Sequence, residues 1–197
     1  MPFDIQLSKD LTLDIRKCPH LLIVGKGDNW ANFSKDIEKR LSSVDNQTSL
    51  RNFVYILRCL DGITARDKEV LNERYELLSA LDCCNIEQFN KRFKYESLMY
   101  EVLFVSPAKT KYNNDLLKEV LMKGRAVGIH VVMFADSMDD FEKNIDLLDM
   151  FTVKLVYKAK TGEESIKLTG YKGAEKLKGN EFLLCELGKQ PVIYKAN

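Results

Sequence analysis

The residues whose types and spacing come nearest to chemistry run from His20 to Asn32, His-Leu-Leu-Ile-Val-Gly-Lys-Gly-Asp-Asn-Trp-Ala-Asn. A short apolar stretch, Leu21 to Val24, ends at Gly25, and a helical pattern follows from about Phe33. In a phosphate-binding loop this context supplies backbone N–H groups and a helix N-terminus, a Lys for the β/γ-phosphates and a hydroxyl for Mg²⁺. Counted from Gly25 on the template G-x-x-x-x-G-K-[ST], the second Gly falls on Trp30, the Lys on Ala31 and the Ser/Thr on Asn32. The pattern G-x-G-x-x-G also fails, because Trp30 takes its last glycine. Gly25, Lys26, Gly27, Asp28, Asn29, Trp30, Ala31 and Asn32 thus form a candidate cofactor position that keeps a scaffold without its phosphate-handling groups. Neither nucleotide nor Mg²⁺ is expected there. Trp30 is expected to fill the β-phosphate space or to cap the mouth of the loop, since its side chain brings about 150–250 Å² that favours burial. Lys26 is the residue that could stand in for the missing Lys.

No other cluster supplies catalytic or metal chemistry. The five cysteines, Cys18, Cys59, Cys83, Cys84 and Cys185, are scattered, and none forms a C-x-x-C pair. They read as reduced thiols of a cytoplasmic protein rather than as zinc ligands or disulfides. His20 and His130 each lie beside an apolar run and read as structural residues at strand ends. The predicted catalytic set and metal set are both empty.

The elements that must position the loop follow from periodicity. Phe3, Ile5 and Leu7, then Leu11, Leu13 and Ile15, alternate about Ser8-Lys9-Asp10 and predict a β-hairpin. Leu21–Val24, Met99–Val105 and Ile129–Phe134 are, apart from Glu101 and His130, apolar on both faces, the mark of buried strands. Phe53–Leu57 fits strand or helix and is read as strand, and Thr152–Tyr157 is a further strand. Helices are predicted over Phe33–Val44, after Thr64 with Val70, Leu71, Leu77, Leu78 and Leu81 on the buried side, after Asn113 or Asn114, and through Phe141, Ile145, Leu148 and Met150. Phe182–Cys185 and Pro191–Tyr194 are expected to pair across Leu187-Gly188-Lys189. Strands alternating with helices predict one α/β domain over residues 1–197, with a mostly parallel sheet and a small N-terminal hairpin. Leu21–Val24, Val102–Val105 and Ile129–Phe134 are expected to be neighbours in that sheet.

Composition narrows the function classes. Thirty basic and 29 acidic residues give a net charge of +1, so bulk charge announces no nucleic-acid or membrane partner. No run approaches the ~18 apolar residues of a membrane span, and Met1-Pro2-Phe3-Asp4 does not begin a signal peptide. Charge is uneven, with nine Lys against five Glu from Phe151 to Asn197. Lys154, Lys158, Lys160, Lys172, Lys176 and Lys178 are the candidates for contact with a polyanion such as double-stranded DNA; the alternative is a solvated lysine face.

Four stretches, in order along the chain, carry a resemblance. Pro19-His20-Leu21-Leu22; Asn72-Glu73-Arg74-Tyr75-Glu76-Leu77-Leu78-Ser79-Ala80-Leu81 with Asn85-Ile86 and Phe89-Asn90; Lys123-Gly124-Arg125-Ala126-Val127-Gly128-Ile129-His130; and Gly173-Ala174-Glu175-Lys176-Leu177-Lys178-Gly179-Asn180 resemble segments of the FtsK/SpoIIIE DNA translocases. The resemblance implies a three-layer α/β/α RecA-like P-loop NTPase fold. It further implies a hexameric ring that hydrolyses ATP to pump double-stranded DNA in bacterial cell division or chromosome partition.

The departures from that family fall on its chemistry. Where the family carries the Walker B Asp and Glu, this chain has Ser106 and Pro107, which neither attract Mg²⁺ nor act as a base. The family's threonine-glutamine-arginine-proline sensor becomes Ala135-Asp136-Ser137-Met138, and its arginine before the C-terminal loop becomes Ile166. One missing electrostatic donor typically costs about 2.7–4 kcal/mol of barrier, and here several are missing together. The expected function is a degenerate member that has lost ATP hydrolysis and serves as a DNA-binding or assembly module. Its expected partners are DNA, copies of itself in a ring, or an active ATPase of the same kind. Two alternatives stand beside it: an active translocase with unorthodox ligands, and an interaction domain of a secretion or conjugation apparatus. The family's membrane segments and winged-helix domain are not in this sequence, which suits a piece of a longer, membrane-tethered protein.

Overall fold

A computed structural model describes residues 4–25, 54–59, 63–105, 114–141 and 145–196, with the backbone alone described at 4–6, 54–59 and 114. Nine strands are described: β1 (Asp4–Ser8), β2 (Leu11–Asp14), β3 (His20–Val24), β4 (Val54–Cys59), β5 (Tyr100–Val105), β6 (Ile129–Ala135), β7 (Val153–Val156), β8 (Glu181–Glu186) and β9 (Val192–Lys195). The described helices are α1 (Ala65–Ala80), α2 (Ile86–Arg92), α3 (Asn114–Lys123) and α4 (Gly162–Thr169).

β1 and β2 form the expected antiparallel hairpin. The remaining strands make one sheet in the order β4-β5-β6-β3-β7-β8-β9. β4, β5, β6, β3 and β7 run parallel; β8 is antiparallel to β7, and β9 is antiparallel to β8. The three strands expected to be neighbours, β5, β6 and β3, are adjacent in parallel register, with Leu103 opposite Val131 and Leu22 opposite Met133. Every residue of β3 and β6 is buried, which is why their sequences show no alternation. Leu22, Val24, Leu103 and Met133 face one core with Leu71 and Leu78 of α1, Leu117 and Val120 of α3, and Leu168 of α4. Leu21, Ile23, Phe104 and Phe134 face the other, where Leu7, Leu11 and Ile15 of the hairpin region lie.

Two helical expectations are corrected. In α1 the buried stripe is Asp67, Leu71, Arg74 and Leu78, while Leu77 is 37% exposed. Arg74 takes an inner position because its guanidinium donates to the Val127 carbonyl at 2.9 Å and ion-pairs with Glu101 of β5. The helix begins after Thr64, as expected, where the Asp67 carboxylate accepts from the Thr64 N–H at 2.6 Å and from its hydroxyl at 2.8 Å. The helix expected through Phe141 and Met150 is instead two 3₁₀ turns, Met138–Phe141 and Ile145–Met150, and Ile145 is 53% exposed. Side chains from elsewhere hold the first of these turns, as described below. Two helices lie where no element was expected, α2 and α4. The helix expected at Phe33–Val44 lies outside the described residues.

Candidate functional site

Five parallel strands point their C-terminal ends to one edge of the sheet, the place where open α/β folds bind ligands. β3 leaves the sheet at Gly25 in a left-handed conformation, φ +82°. The exit is pinned on both sides: the Gly25 N–H donates to the Ala135 carbonyl of β6 at 2.9 Å, and the Tyr157 N–H donates to the Val24 carbonyl at 2.9 Å. A Cβ at position 25 would stand 2.5 Å from the Lys158 carbonyl oxygen, so glycine is required for space as well as for φ. Lys26, Gly27, Asp28, Asn29, Trp30, Ala31 and Asn32 lie outside the described residues, as do Ser106 and Pro107.

The segment after β6 is fastened by carboxylates. Asp140 Oδ2 accepts the Asp136 N–H at 2.7 Å, and Glu164 Oε1 accepts the Met138 N–H at 2.8 Å. The second Glu164 oxygen accepts the Lys160 N–H from the segment after β7. Glu164 is placed by α4, whose N-cap Thr161 accepts the Glu164 N–H at 3.1 Å. Its carboxylate is buried and spans the two segments that flank the exit of β3. Above it, the Lys160 ammonium pairs with Asp139, which holds the Asp139 carboxyl below its usual range and the Lys160 amine above its own. Ile166 is 41% exposed on α4.

Asp136, Asp139, Asp140 and Glu164 concentrate negative charge in the segments that flank the exit of β3, and three of the four already spend oxygens on amides or on Lys160. Among the described residues, no group of three His, Cys, Asp or Glu is placed to hold a metal ion.

The lysine candidates separate by environment. Lys154 is half-buried in β7, where desolvation pulls its amine below the usual range. Lys160 is committed to Asp139. Lys158, Lys172, Lys176 and Lys178 are exposed. The histidines lie at the opposite end of the strands. His20 opens β3 and His130 is the second residue of β6, both buried. No helix among the described residues is long and apolar enough to cross a membrane.

Sequence reasoning missed Glu164 and Asp140. The pattern Thr161-Gly162-Glu163-Glu164 is a capping-box signature that could have marked the start of α4. Nothing local tells that Glu164 reaches Met138.

No family model and no curated protein matches the sequence. Solved structures match the fold. The conjugation coupling protein TcpA of pCW3, in a monomer form with ATPγS, superposes with a TM-score of 0.75 at 16% identity over 100% of this chain and 66% of its own. The chain has a RecA-like P-loop ATPase fold. The cytoplasmic domain of the type VII secretion ATPase EccC of Thermomonospora curvata gives 0.71 at 15% identity over 98% of this chain and 28% of its own. ATPases 2 and 3 of EssC from Geobacillus thermodenitrificans give 0.59 at 15% identity over 98% of this chain and 41% of theirs. The chain therefore spans less than two thirds of each of these proteins, and identity this low establishes the fold alone.

Proposed function

We propose that the chain is a non-hydrolysing module of the translocation-ATPase fold, which takes its place in a secretion- or conjugation-type assembly and contributes binding surface rather than phosphoryl transfer. The observation that carries this reading is the segment after β6. Where a γ-phosphate sensor would need polar donors free to follow the nucleotide, Asp136 to Met138 carries acid and is tied down by Asp140 and Glu164. Phosphoryl transfer needs positive charge at that place. The missing Lys, Ser/Thr and acidic pair at Ala31, Asn32, Ser106 and Pro107 support the same reading. The likeness to a conjugation coupling protein and to secretion ATPases favours that setting over cell division.

Phosphate release by the purified chain, measured with ATP and Mg²⁺ in the presence and absence of duplex DNA, is expected to stay at background. DNA-stimulated release that disappears in Lys26→Ala would overturn the reading and give Lys26 the role of the P-loop Lys. A DNA-contacting role is the second reading, favoured by the exposed ammonium groups of Lys158, Lys172, Lys176 and Lys178. Duplex DNA titrated at low salt separates the two: binding with a log–log salt slope of about −0.9 per phosphate neutralised supports DNA contact, and no binding leaves the protein-assembly reading.

A further inference from the structure

At the N-terminal edge of the sheet, opposite the loops above, the starts of β5 and β6, the first turn of α2 and the 3₁₀ turn Gly124–Val127 surround a cavity of about 330 Å³. Arg16, Tyr75, Asn85, Glu87, Arg125 and His130 are in its wall. The volume is at the small end of the range for sites that take small organic ligands.

His130 is 1% exposed, and its Nδ1 lies 2.8 Å from the Pro19 carbonyl oxygen. A carbonyl only accepts, so Nδ1 carries the ring proton and Nε2 is a bare lone pair. That Nε2 is buried without a hydrogen-bond partner. The ring is held in place by stacking on Tyr100, with centroids 5.9 Å apart. Burial, with the nearby Arg125 charge, keeps it neutral by pushing its pKa down to about 4. A buried acceptor left without a donor is a cost that native structures normally avoid.

The cations of the wall differ in their commitments. Arg16 is bound to the Asp14 carboxylate through Nε at 2.9 Å and Nη2 at 2.7 Å. Lys123 is paired with Glu119 at 2.8 Å. Arg125 is exposed and makes no ion pair among the described residues. Its planar fork is thus open to a carboxylate, in the same cavity wall as His130. Glu87, in the first turn of α2, adds one acid to the same wall.

We propose that this cavity binds a small carboxylate that carries a neighbouring hydroxyl or amino group, the carboxylate held by Arg125 and the neighbouring donor satisfying Nε2 of His130. Two recognition elements of opposite polarity in one small cavity select for a ligand that presents both an anion and a donor. Glu87 favours the amino form, whose ammonium it would face. This site is independent of the nucleotide position at the other edge and does not rest on the function proposed above.

The test uses the whole chain labelled with ¹⁵N at histidine, with side-chain nitrogen shifts followed during titration. Propanoate, 2-hydroxypropanoate and alanine are the probes, identical in carbon count and different in the donor. His130 Nε2 is expected in the unprotonated tautomer before addition, to move with 2-hydroxypropanoate or alanine, and to stay in place with propanoate. Arg125→Ala, at an exposed position, is expected to weaken that response by at least about tenfold, the effect of losing one hydrogen bond to a charged group. Glu87→Gln separates the ligand classes: loss of the alanine response assigns the amino form, and an unchanged 2-hydroxypropanoate response assigns the hydroxy form. An Nε2 signal that no probe moves, that propanoate moves equally, or that Arg125→Ala leaves unchanged overturns the proposal.

Discussion

The backbone N–H of Met138 donates to Glu164 Oε1 at 2.8 Å, across 26 residues of chain. Because the other oxygen of the same carboxylate takes the Lys160 N–H, one buried side chain ties the segment after β6 to the segment after β7. The two segments flank the exit of β3, so the nucleotide edge of the fold is held as one unit from both sides.

Glu164→Gln is expected to destabilise the chain by about 1.5–3 kcal/mol, because an amide NH₂ would face one of the two N–H donors that now share a buried carboxylate. A shift of the urea midpoint to lower concentration, with m unchanged, is the readout. An unaltered midpoint would show that the clamp contributes nothing.

Gly25→Ala is expected to cost more than about 1–2 kcal/mol, the left-handed penalty alone, because the new methyl would also meet the Lys158 carbonyl 2.5 Å away. Thermal unfolding of the variant beside Gly188→Ala checks this. Gly188 is also left-handed, at φ +78°, but nothing lies within 4 Å of its Cβ position, so it reports the backbone term by itself.

Arg74→Met is expected to lose about 3–5 kcal/mol by stranding the Glu101 carboxylate, which is only 14% exposed. The double variant Arg74→Met with Glu101→Gln should recover much of that loss. Chemical denaturation of the parent chain, the two single variants and the double variant measures the coupling, and additive losses would refute the ion-pair account.

Stability is expected to fall as pH drops from about 6.5 towards 4. Burial, with the nearby charge of Arg125, pushes the folded pKa of His20 from 6.5 to about 3 and that of His130 from 6.5 to about 4. His20 is lowered further by His130, while Pro19 and Asp14 act the other way on His130. Both groups are depressed in the folded state, so the unfolded chain binds protons first as pH falls, and the contribution present above 6.5 is lost below it. The urea midpoint followed from pH 8 to pH 4 tests this. Replacing His130 with Gln should flatten the curve, and an identical slope in that variant would contradict the assignment.

What the sequence by itself determined is what rests on neighbours along the chain. β3, β5 and β6 were legible because strands buried on both faces are apolar at nearly every position, His20, Glu101 and His130 being the exceptions. The hairpin was legible because β1 and β2 alternate about a polar turn, and the start of α1 because Thr64 is an N-cap residue type ahead of an apolar helical pattern. The failing template at Gly25 to Asn32 was also a local fact. The tertiary structure decided everything that depends on a polar bond between distant segments. Arg74 displaced Leu77 from the buried face of α1 because its partners, Glu101 and the Val127 carbonyl, are 27 and 53 residues away. The residues Met138 to Phe141 became a 3₁₀ turn where a helix was expected, with the Met138 N–H satisfied by Glu164 rather than within a helix. The open lone pair of His130 depends on where Pro19 falls, 111 residues earlier. Hydrophobic periodicity records which face of an element is dry; it carries no record of which buried charge or amide will find its partner there, because that pairing exists only once the chain has closed.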